Sequence, residues 1–349
     1  MTSIRMFLAE TVNRPKSEPS SASSSLQKDK GVDFRTKNGK KELYVLRRRN
    51  ALAARIVKAR ANLTLGRGFK IIVDSPAQKK ALDKFLKRLH STDPITALIY
   101  KVRILFMDAD WSGNGWWEKL YYIENGKRVG IADLLSLHPL ITDYARNNNG
   151  EIIYDEFNKP VAIEQIKDDN GFGRDKKIIP REDAAVLTLD VIGDEVLGVS
   201  IYESAFKSYH REMLIHEGVA MGIYRHGVPL HDITVGNEDM KPTQKMLDDA
   251  EEEVKGLSYM SEYVHPPWYK VELKESFSLS GAKSFVDPYV DDIIVSSGLP
   301  EFIITGKGES SNKATAQEMI RAVNLTIKPL QQKLKLFLES EIFKPMMEL

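Results

Sequence analysis

The sequence predicts an α+β protein with more than one compact unit, on three observations. A helical pattern runs mid-chain from about Ser200 to His226. A block of short strand and turn signals lies apart from it, between residues 113 and 157. The length of 349 residues exceeds what one simple core absorbs. Hydrophobic content of 42% and charged content of 28% are ordinary for a folded protein. A net charge of +1 gives no global argument for nucleic acid or membrane. The absence of Cys excludes disulfides, thiolate metal sites and Cys nucleophiles. No apolar run approaches the roughly 18 residues of a membrane span, and no signal-peptide core is read, so no membrane partner is expected.

Residues 1–40 read as a disordered arm, because SEPSSASSS and the Lys/Asp/Gly run after it bury too little apolar surface to offset ordering entropy. Residues 42–65 read as one helix: Val45, Leu52, Ile56, Ala59 and Leu63 share a face, and Gly66 ends it. Arg47, Arg48, Arg49, Arg55, Lys58 and Arg60 crowd the rest. That surface suits phosphate contact, plain solvation or ion pairing with an adjacent subunit. Residues 76–90 form a second amphipathic helix on Leu82, Phe85, Leu86 and Leu89. Residues 97–106 are apolar enough for a buried helix or strand. Gly113-Asn114-Gly115 opens a strand over 116–123, turned at Asn125-Gly126. Another turn, Asn147-Asn148-Asn149-Gly150, separates the runs 140–146 and 151–157.

The long helix has a marked start and stop. Ser200 and Glu203 have the spacing of a capping box, and Gly227 with Pro229 behind it is a stop. The roughly 26 residues between would span about 40 Å at 1.5 Å per residue. Tyr202, Phe206, Tyr209, Met213, His216, Ala220 and Ile223 alternate at four and three, the period of a helix packed lengthwise on neighbours. Glu203, Lys207, His210 and Glu217 lie on another face. Next, Lys241-Pro242 starts a helix on Met246, Leu247, Ala250 and Val254, stopped by Gly256. Tyr269, Val271 and Leu273 alternate as a strand after His265-Pro266-Pro267-Trp268. The acidic run Asp248, Asp249, Glu251, Glu252 and Glu253 reads as a solvated face or as a dock for basic partner residues. Asp287-Pro288 starts a further helix, Asp as N-cap and Pro at its first position, and Gly298 ends it. Residues 300–313 read as a Gly/Ser loop. The last helix starts near Thr315, in capping-box spacing with Glu318. It carries Ile320, Val323, Ile327, Leu330, Leu334 and Phe337, and Pro329 should kink it.

Taken in order, these pieces carry a resemblance. Gly198-Val199-Ser200 precedes the long helix, and Gly227-Val228-Pro229 follows it. After an insert come Gly298-Leu299-Pro300, a Gly/Ser/Asn loop, and S-N-K-A-T-A-Q-E from Ser311 to Glu318. This series resembles the portal proteins of tailed viruses. The resemblance implies a portal fold: a mixed α/β wing (41–199), a two-helix stem (200–226 and 284–299) and a small α/β clip (227–283). A tunnel loop (300–313) and a last helix returning to the wing (314–349) complete it, with the crown small or absent. It implies a cyclic ring of identical subunits, a dodecamer, at the portal vertex of a virion, assembled in the host cytoplasm. Through it double-stranded DNA is packed and ejected without sequence preference. The implied partners are the terminase large subunit, the major capsid protein and neck or adaptor proteins. Thr305, Gly306, Lys307, Gly308, Ser310, Ser311, Asn312 and Lys313 would form the tunnel loop, with the lysines meeting phosphates. Glu203, Lys207, His210, Arg211 and Glu217 would belong to the stem, and Arg47, Arg48, Arg49 and Arg55 to phosphate contacts. Asp248, Asp249, Glu251, Glu252 and Trp268 would form the clip's docking face. The family often carries a His in the strand before the GxS opening; here Thr188 stands there.

Catalysis finds little support. Thr305-Gly306-Lys307-Gly308 lacks phosphate-loop spacing, because Gly308 follows Lys307 and no Gly lies five residues before Gly306. His210 and His216 share no helix face, and His216 reads as a hydrogen-bonded core or interface residue. Asp248/Asp249 and Asp291/Asp292 are adjacent pairs that point apart on a helix. No enzyme activity, cofactor or metal is expected. The alternatives are a nucleic-acid-processing enzyme using the basic 35–60 face, or another capsid or neck structural protein.

Overall fold

The computed structural model describes residues 32–73, 75–89, 92–168, 174–226, 230–235, 242–255, 269–274, 282–306 and 313–348. The arm expected over 1–40 therefore lies largely outside the described residues. Its last four positions, however, are helical, and Lys40 is buried.

Two helices stand where one was expected over 42–65. Helix α1 (Lys37–Arg49) is capped by Thr36, whose side chain accepts from the Gly39 amide. Helix α2 (Ala51–Leu65) begins one residue after α1 ends. Asn50 breaks the run: its extended backbone closes α1, and its side chain accepts from the Ala53 amide to open α2. The buried stripe runs through Ala53, Ile56, Val57, Arg60, Ala61 and Thr64; Val45, Leu52 and Leu63 are only half-buried. Helix α3 (Pro76–Leu89) buries Leu82, Phe85 and Leu86. The apolar segment around 97–106 is helix α4 (Pro94–Ser112), capped by Asp93 with Pro94 in its first turn.

Strands β1 (Asn114–Glu124) and β2 (Lys127–Leu137) form a hairpin around Asn125 and Gly126, both at positive φ (51° and 75°). That is the backbone which makes Asn-Gly favourable there. With β6 (Ala184–Thr188) they form a sheet ordered β2-β1-β6. A second sheet, β3-β4-β5, comprises Thr142–Tyr144, Ala162–Asp168 and Arg174–Pro180. The 151–157 run contributes only isolated bridges, Arg146 with Ile152 and Tyr154 with Pro160. Trp116 and Trp117 show how β1 joins the layers, because successive side chains on a strand point to opposite faces. Trp117 packs with Phe85, Phe106, Ile131 and Leu134, together with Leu334 and Phe337 from the chain's last helix. Trp116 packs with Tyr144, Ile163 and Ile179 of the second sheet.

Helix α5 (Phe206–His226) starts at Phe206, not at Ser200. Strand β7 (Leu230–Val235), helix α6 (Gln244–Lys255) and strand β8 (Tyr269–Lys274) follow, with β7 and β8 antiparallel. Helix α7 (Ala282–Ser297) contains Pro288 in its interior, so the start expected at Asp287 is overturned. Residues expected to open the loop form a short helix instead, α8 (Glu301–Thr305), closed by Gly306 at φ 73°. Helix α9 (Lys313–Phe337) opens two residues before Thr315 and buries Val323, Ile327, Leu334 and Phe337, while Ile320 is exposed. A π-helical turn (Leu338–Phe343) and α10 (Lys344–Glu348) end the described chain. The chain divides into a larger unit, Val32–Tyr209 with Val290–Leu349, and a second that contains His210–Tyr289. No helix among the described residues is long and apolar enough to cross a membrane.

Candidate functional site: the roots of helices α5 and α7

Helices α5 and α7 each have one end in the larger unit, and those two roots lie in one network of contacts there. At the root of α5 the backbones of Gly113 and Gly198 nearly touch. A Cβ built on either glycine would lie 2.2 Å from the other's carbonyl oxygen, closer than any side-chain carbon is found. Gly113 also has φ 88°. Asn114 bridges the same contact: its side-chain amide donates to Thr188 Oγ1 at 2.8 Å, and its oxygen accepts from the Gly198 amide at 2.9 Å. Thr188, which stands where portal proteins often carry His, is thus occupied in holding the GxS segment.

Ser200 follows. Its hydroxyl donates to the Trp111 carbonyl at 2.6 Å and accepts from the Tyr202 amide at 3.1 Å, and its amide donates to Glu203 Oε1 at 2.8 Å. The hydrogen bonds of a capping box are present, but they close turns over residues 201–205 and not the helix itself. Burial pushes the Glu203 carboxyl up, against the hydrogen bond from Ser200 and the charge of Arg35, which pull it down. Tyr202 sends its hydroxyl to the Ala53 carbonyl at 2.8 Å and meets Tyr209 edge-on. Phe34 packs against Phe206 with ring centroids 4.7 Å apart, and Arg35 pairs with Glu195.

At the root of α7, Arg60 is the organising residue. Its Nε donates to both Asp110 oxygens at 3.0 Å, and Nη1 donates to the Ser297 carbonyl at 2.9 Å. The two side chains are 9% and 2% exposed. The Asp110 backbone carbonyl accepts in turn from the Ile201 amide at 3.0 Å. One buried pair therefore connects α2, α4, the end of α7 and the approach to α5. Burial pushes the Asp110 carboxyl up, and the Arg60 guanidinium opposes it. Gly298 leaves α7 at φ 65°, and its carbonyl accepts from Thr326 of α9 at 3.1 Å. Ser208 of α5 donates to Asp292 of α7 at 2.9 Å, and in the second unit Arg211 lies over the Tyr289 ring at 5.8 Å. These groups satisfy one another. The arrangement holds backbone in place.

The sequence-predicted site residues fall in several places. Lys207, His210, Arg211 and Glu217 lie on α5, while Glu203 precedes it. His216, expected in a core or interface, has a 63% exposed side chain beside Glu212 at 3.3 Å. The basic stripe on α1 and α2 is partly consumed: Arg47 pairs with Asp108 at 3.4 Å, Arg55 donates to the Ile303 carbonyl, and Arg60 is buried. Arg48 stacks over Tyr44, and Arg49 is exposed. Thr305 closes α8, Gly306 follows it, and Lys313 opens α9. Lys307, Gly308, Ser310, Ser311 and Asn312 lie outside the described residues, as does Trp268. Asp248, Asp249, Glu251 and Glu252 are all on α6, with Asp248 and Asp249 exposed. Sequence reasoning missed the Arg60–Asp110 pair. Its signal was present: Arg60 lies four residues after Ile56, on the apolar stripe, and Asp110 interrupts an apolar run.

No family model and no curated protein matches this chain. Solved structures do. A chain in the virion of the native gene transfer agent (GTA) particle is 16% identical, with a TM-score of 0.58 over 85% of this chain and 79% of that one. A chain in the neck of the native GTA particle, computed with C12 symmetry, is 15% identical with the same score and coverage. An HK97-family phage portal protein from Corynebacterium diphtheriae is 11% identical over 75% of this chain and 86% of that one, at a TM-score of 0.42 that carries no weight by itself. The likenesses to the GTA chains show a shared fold.

Proposed function

We propose that this chain is the subunit of a portal ring, a passive channel through which double-stranded DNA enters and leaves a viral capsid. The observation that carries the reading is the fold shared over 85% of the chain with a chain in the neck of the native GTA particle, computed with C12 symmetry. In this reading α5 and α7 are the stem, residues 227–283 the clip, and residues 300–313 the tunnel loop. The wing is residues 41–199, joined by the last helix. The root geometry supports it: a channel-wall helix pair needs firm anchorage, and the Gly113–Gly198 contact and the Arg60–Asp110 pair provide it. Closed rings arise from heterologous interfaces whose rotation closes, and the ring here is a dodecamer. A channel for any genome relies on weak, repeated phosphate contacts, which Lys307 and Lys313 supply. The clip face, with Asp248, Asp249, Glu251, Glu252 and Trp268, docks the terminase large subunit and later the neck or adaptor proteins. The wing meets the major capsid protein. Nucleotide hydrolysis belongs to the terminase, and this chain is no enzyme.

The test is negative-stain electron microscopy with solution mass on the purified chain. Rings with a central hole, many times the 39.5 kDa subunit mass, are expected. A monomer that persists with scaffold and capsid proteins present would overturn the reading. Deleting residues 306–310 is expected to leave rings intact and to reduce DNA packaged or retained per particle.

A further inference from the structure

The basic surface expected on α1 and α2 is partly spent on internal partners, through Arg47, Arg55 and Arg60, and α3 carries another. Lys79, Lys80, Lys84 and Lys87 are all exposed, and Asp83 is the helix's lone acid. At 100° per residue Lys80, Lys84 and Lys87 fall within about 60° of one another, opposite Leu82, Phe85 and Leu86, which face the core; Asp83 borders this face, and Lys79 lies to its side, toward Leu86. No ion pair engages these four lysines among the described residues. Arg88 flanks the face, its guanidinium 4.3 Å from the centre of the Tyr122 ring.

We propose that this face of α3 binds the phosphate backbone of double-stranded DNA, without reading sequence, at a site separate from the channel loop. The chemistry selects this partner over a protein. The face has no large apolar side chain to seed an interface core, and lysine is depleted from such cores. It has no arginine fork for bidentate recognition of a single carboxylate. It does have mobile point charges: Lys80, Lys84 and Lys87 extend over about 10 Å at 1.5 Å per residue. Duplex DNA presents one negative charge per roughly 1.7 Å of axis, so several phosphates face that stretch at almost any register. The inference rests on α3 and stands whether or not the chain forms a ring.

The experiment is fluorescence anisotropy of a labelled random-sequence duplex titrated with the full chain across a salt series. Three forms are compared: wild type, the α3 variant Lys80→Glu/Lys84→Glu/Lys87→Glu, and a control reversing the scattered exposed lysines Lys159, Lys245 and Lys328. Each phosphate contact adds about 0.9 to the slope of log K against log salt. The α3 variant is therefore expected to bind at least about tenfold more weakly at low salt and to lose about two to three units of slope. The control should keep most of its slope. Equal losses in both variants, or none in the α3 variant, would overturn the proposal. So would displacement of wild type by polyglutamate at charge concentrations where excess unlabelled duplex fails to compete, since that would assign the face to an acidic protein. Electron microscopy of the same samples reports ring formation independently, so failure of the portal reading and failure of this site are distinguishable.

Discussion

At the residue scale, the joint between α5 and α7 depends on a few groups that have no substitute. Arg60→Met would leave Asp110 as a buried charge without its partner and Ser297 with an unanswered carbonyl. A loss of about 3–5 kcal/mol is expected, measured by urea denaturation. Arg60→Met combined with Asp110→Leu should recover part of that loss, because an apolar pair removes the stranded charge, though the Ser297 carbonyl stays unanswered. A double-mutant cycle reads the coupling directly. Gly198→Ala has no such rescue. Its Cβ would meet the Gly113 carbonyl at 2.2 Å, backbone against backbone, so the strand–helix junction must open and stability should fall by at least about 2 kcal/mol. Lys40 gives a pH signature. Burial pushes its ammonium below the ordinary lysine range, against the nearby Asp143 carboxylate. The unfolded chain then binds the extra proton in the window below the ordinary value of 10.5, so stability on this account rises as pH increases through that window. Lys40→Met should flatten the alkaline rise of the urea midpoint relative to wild type. An unchanged difference between the two proteins from pH 7 to 10.5 would show that Lys40 does not carry it.

At the element scale, the sequence was most legible where one periodicity ran unbroken. Helix α3 was read within a residue of its ends, the Asn125-Gly126 hairpin was read from its turn, and the α9 stripe was read except at Ile320. It was least legible where a local signal served a different purpose. Asn50 looks like an interior helix residue, yet it closes one helix and caps the next. The Ser200/Glu203 spacing forms its hydrogen bonds, but six residues before α5 begins, because Ser200 is also tied to Trp111. Asp287-Pro288 resembles a helix start, but residues 282–286 continue the helix upstream and Pro288 falls inside it. The candidate joint was half legible. Gly198 and Ser200 could be singled out, but Asn114 and Trp111 join them only through contacts across 84 and 89 residues of chain, which no local pattern encodes. Gly298 tests the element view. It ends α7 at φ 65°, where a Cβ would also sit 3.3 Å from Thr326. Gly298→Ala should cost about 1–2 kcal/mol and should raise amide exchange in the last turn of α7 and in α8 more than in the β2-β1-β6 sheet. Uniform loss of protection would mean that Gly298 is merely a global stability residue.

At the scale of the whole molecule, the question is what covers the surface that one chain leaves bare. In the larger unit, Val295 of α7 is 79% exposed, and Leu325 and Leu336 of α9 are 69% and 64% exposed. Single apolar residues on a surface need no explanation. Here, however, they sit on helices whose opposite sides are firmly packed: α7 through Ile293 and Ile294, and α9 through Val323, Ile327 and Leu334. If the chain is the ring subunit proposed above, such residues are left for its neighbours, because a heterologous interface uses two different faces of the same chain. If α7 and α9 meet an adjacent copy, a charge there should be tolerated by the isolated fold and not by the assembly. Val295→Glu and Leu325→Glu are therefore expected to change the thermal midpoint of the isolated chain by only a few degrees, since surface substitutions usually act within about 0.5 kcal/mol. Each should shift the mass distribution from ring to subunit in sedimentation or mass photometry, by about tenfold or more in the concentration at which rings form. A carboxylate buried against apolar neighbours costs several kcal/mol per interface, and in a closed ring that cost recurs at every subunit. Arg321→Glu, on the same helix but 74% exposed beside Glu318, supplies the comparison. If it breaks rings as readily as Leu325→Glu, the interface is governed by charge and not by apolar burial. If neither affects the rings, α9 faces solvent in the assembly and the neighbouring subunit engages some other surface.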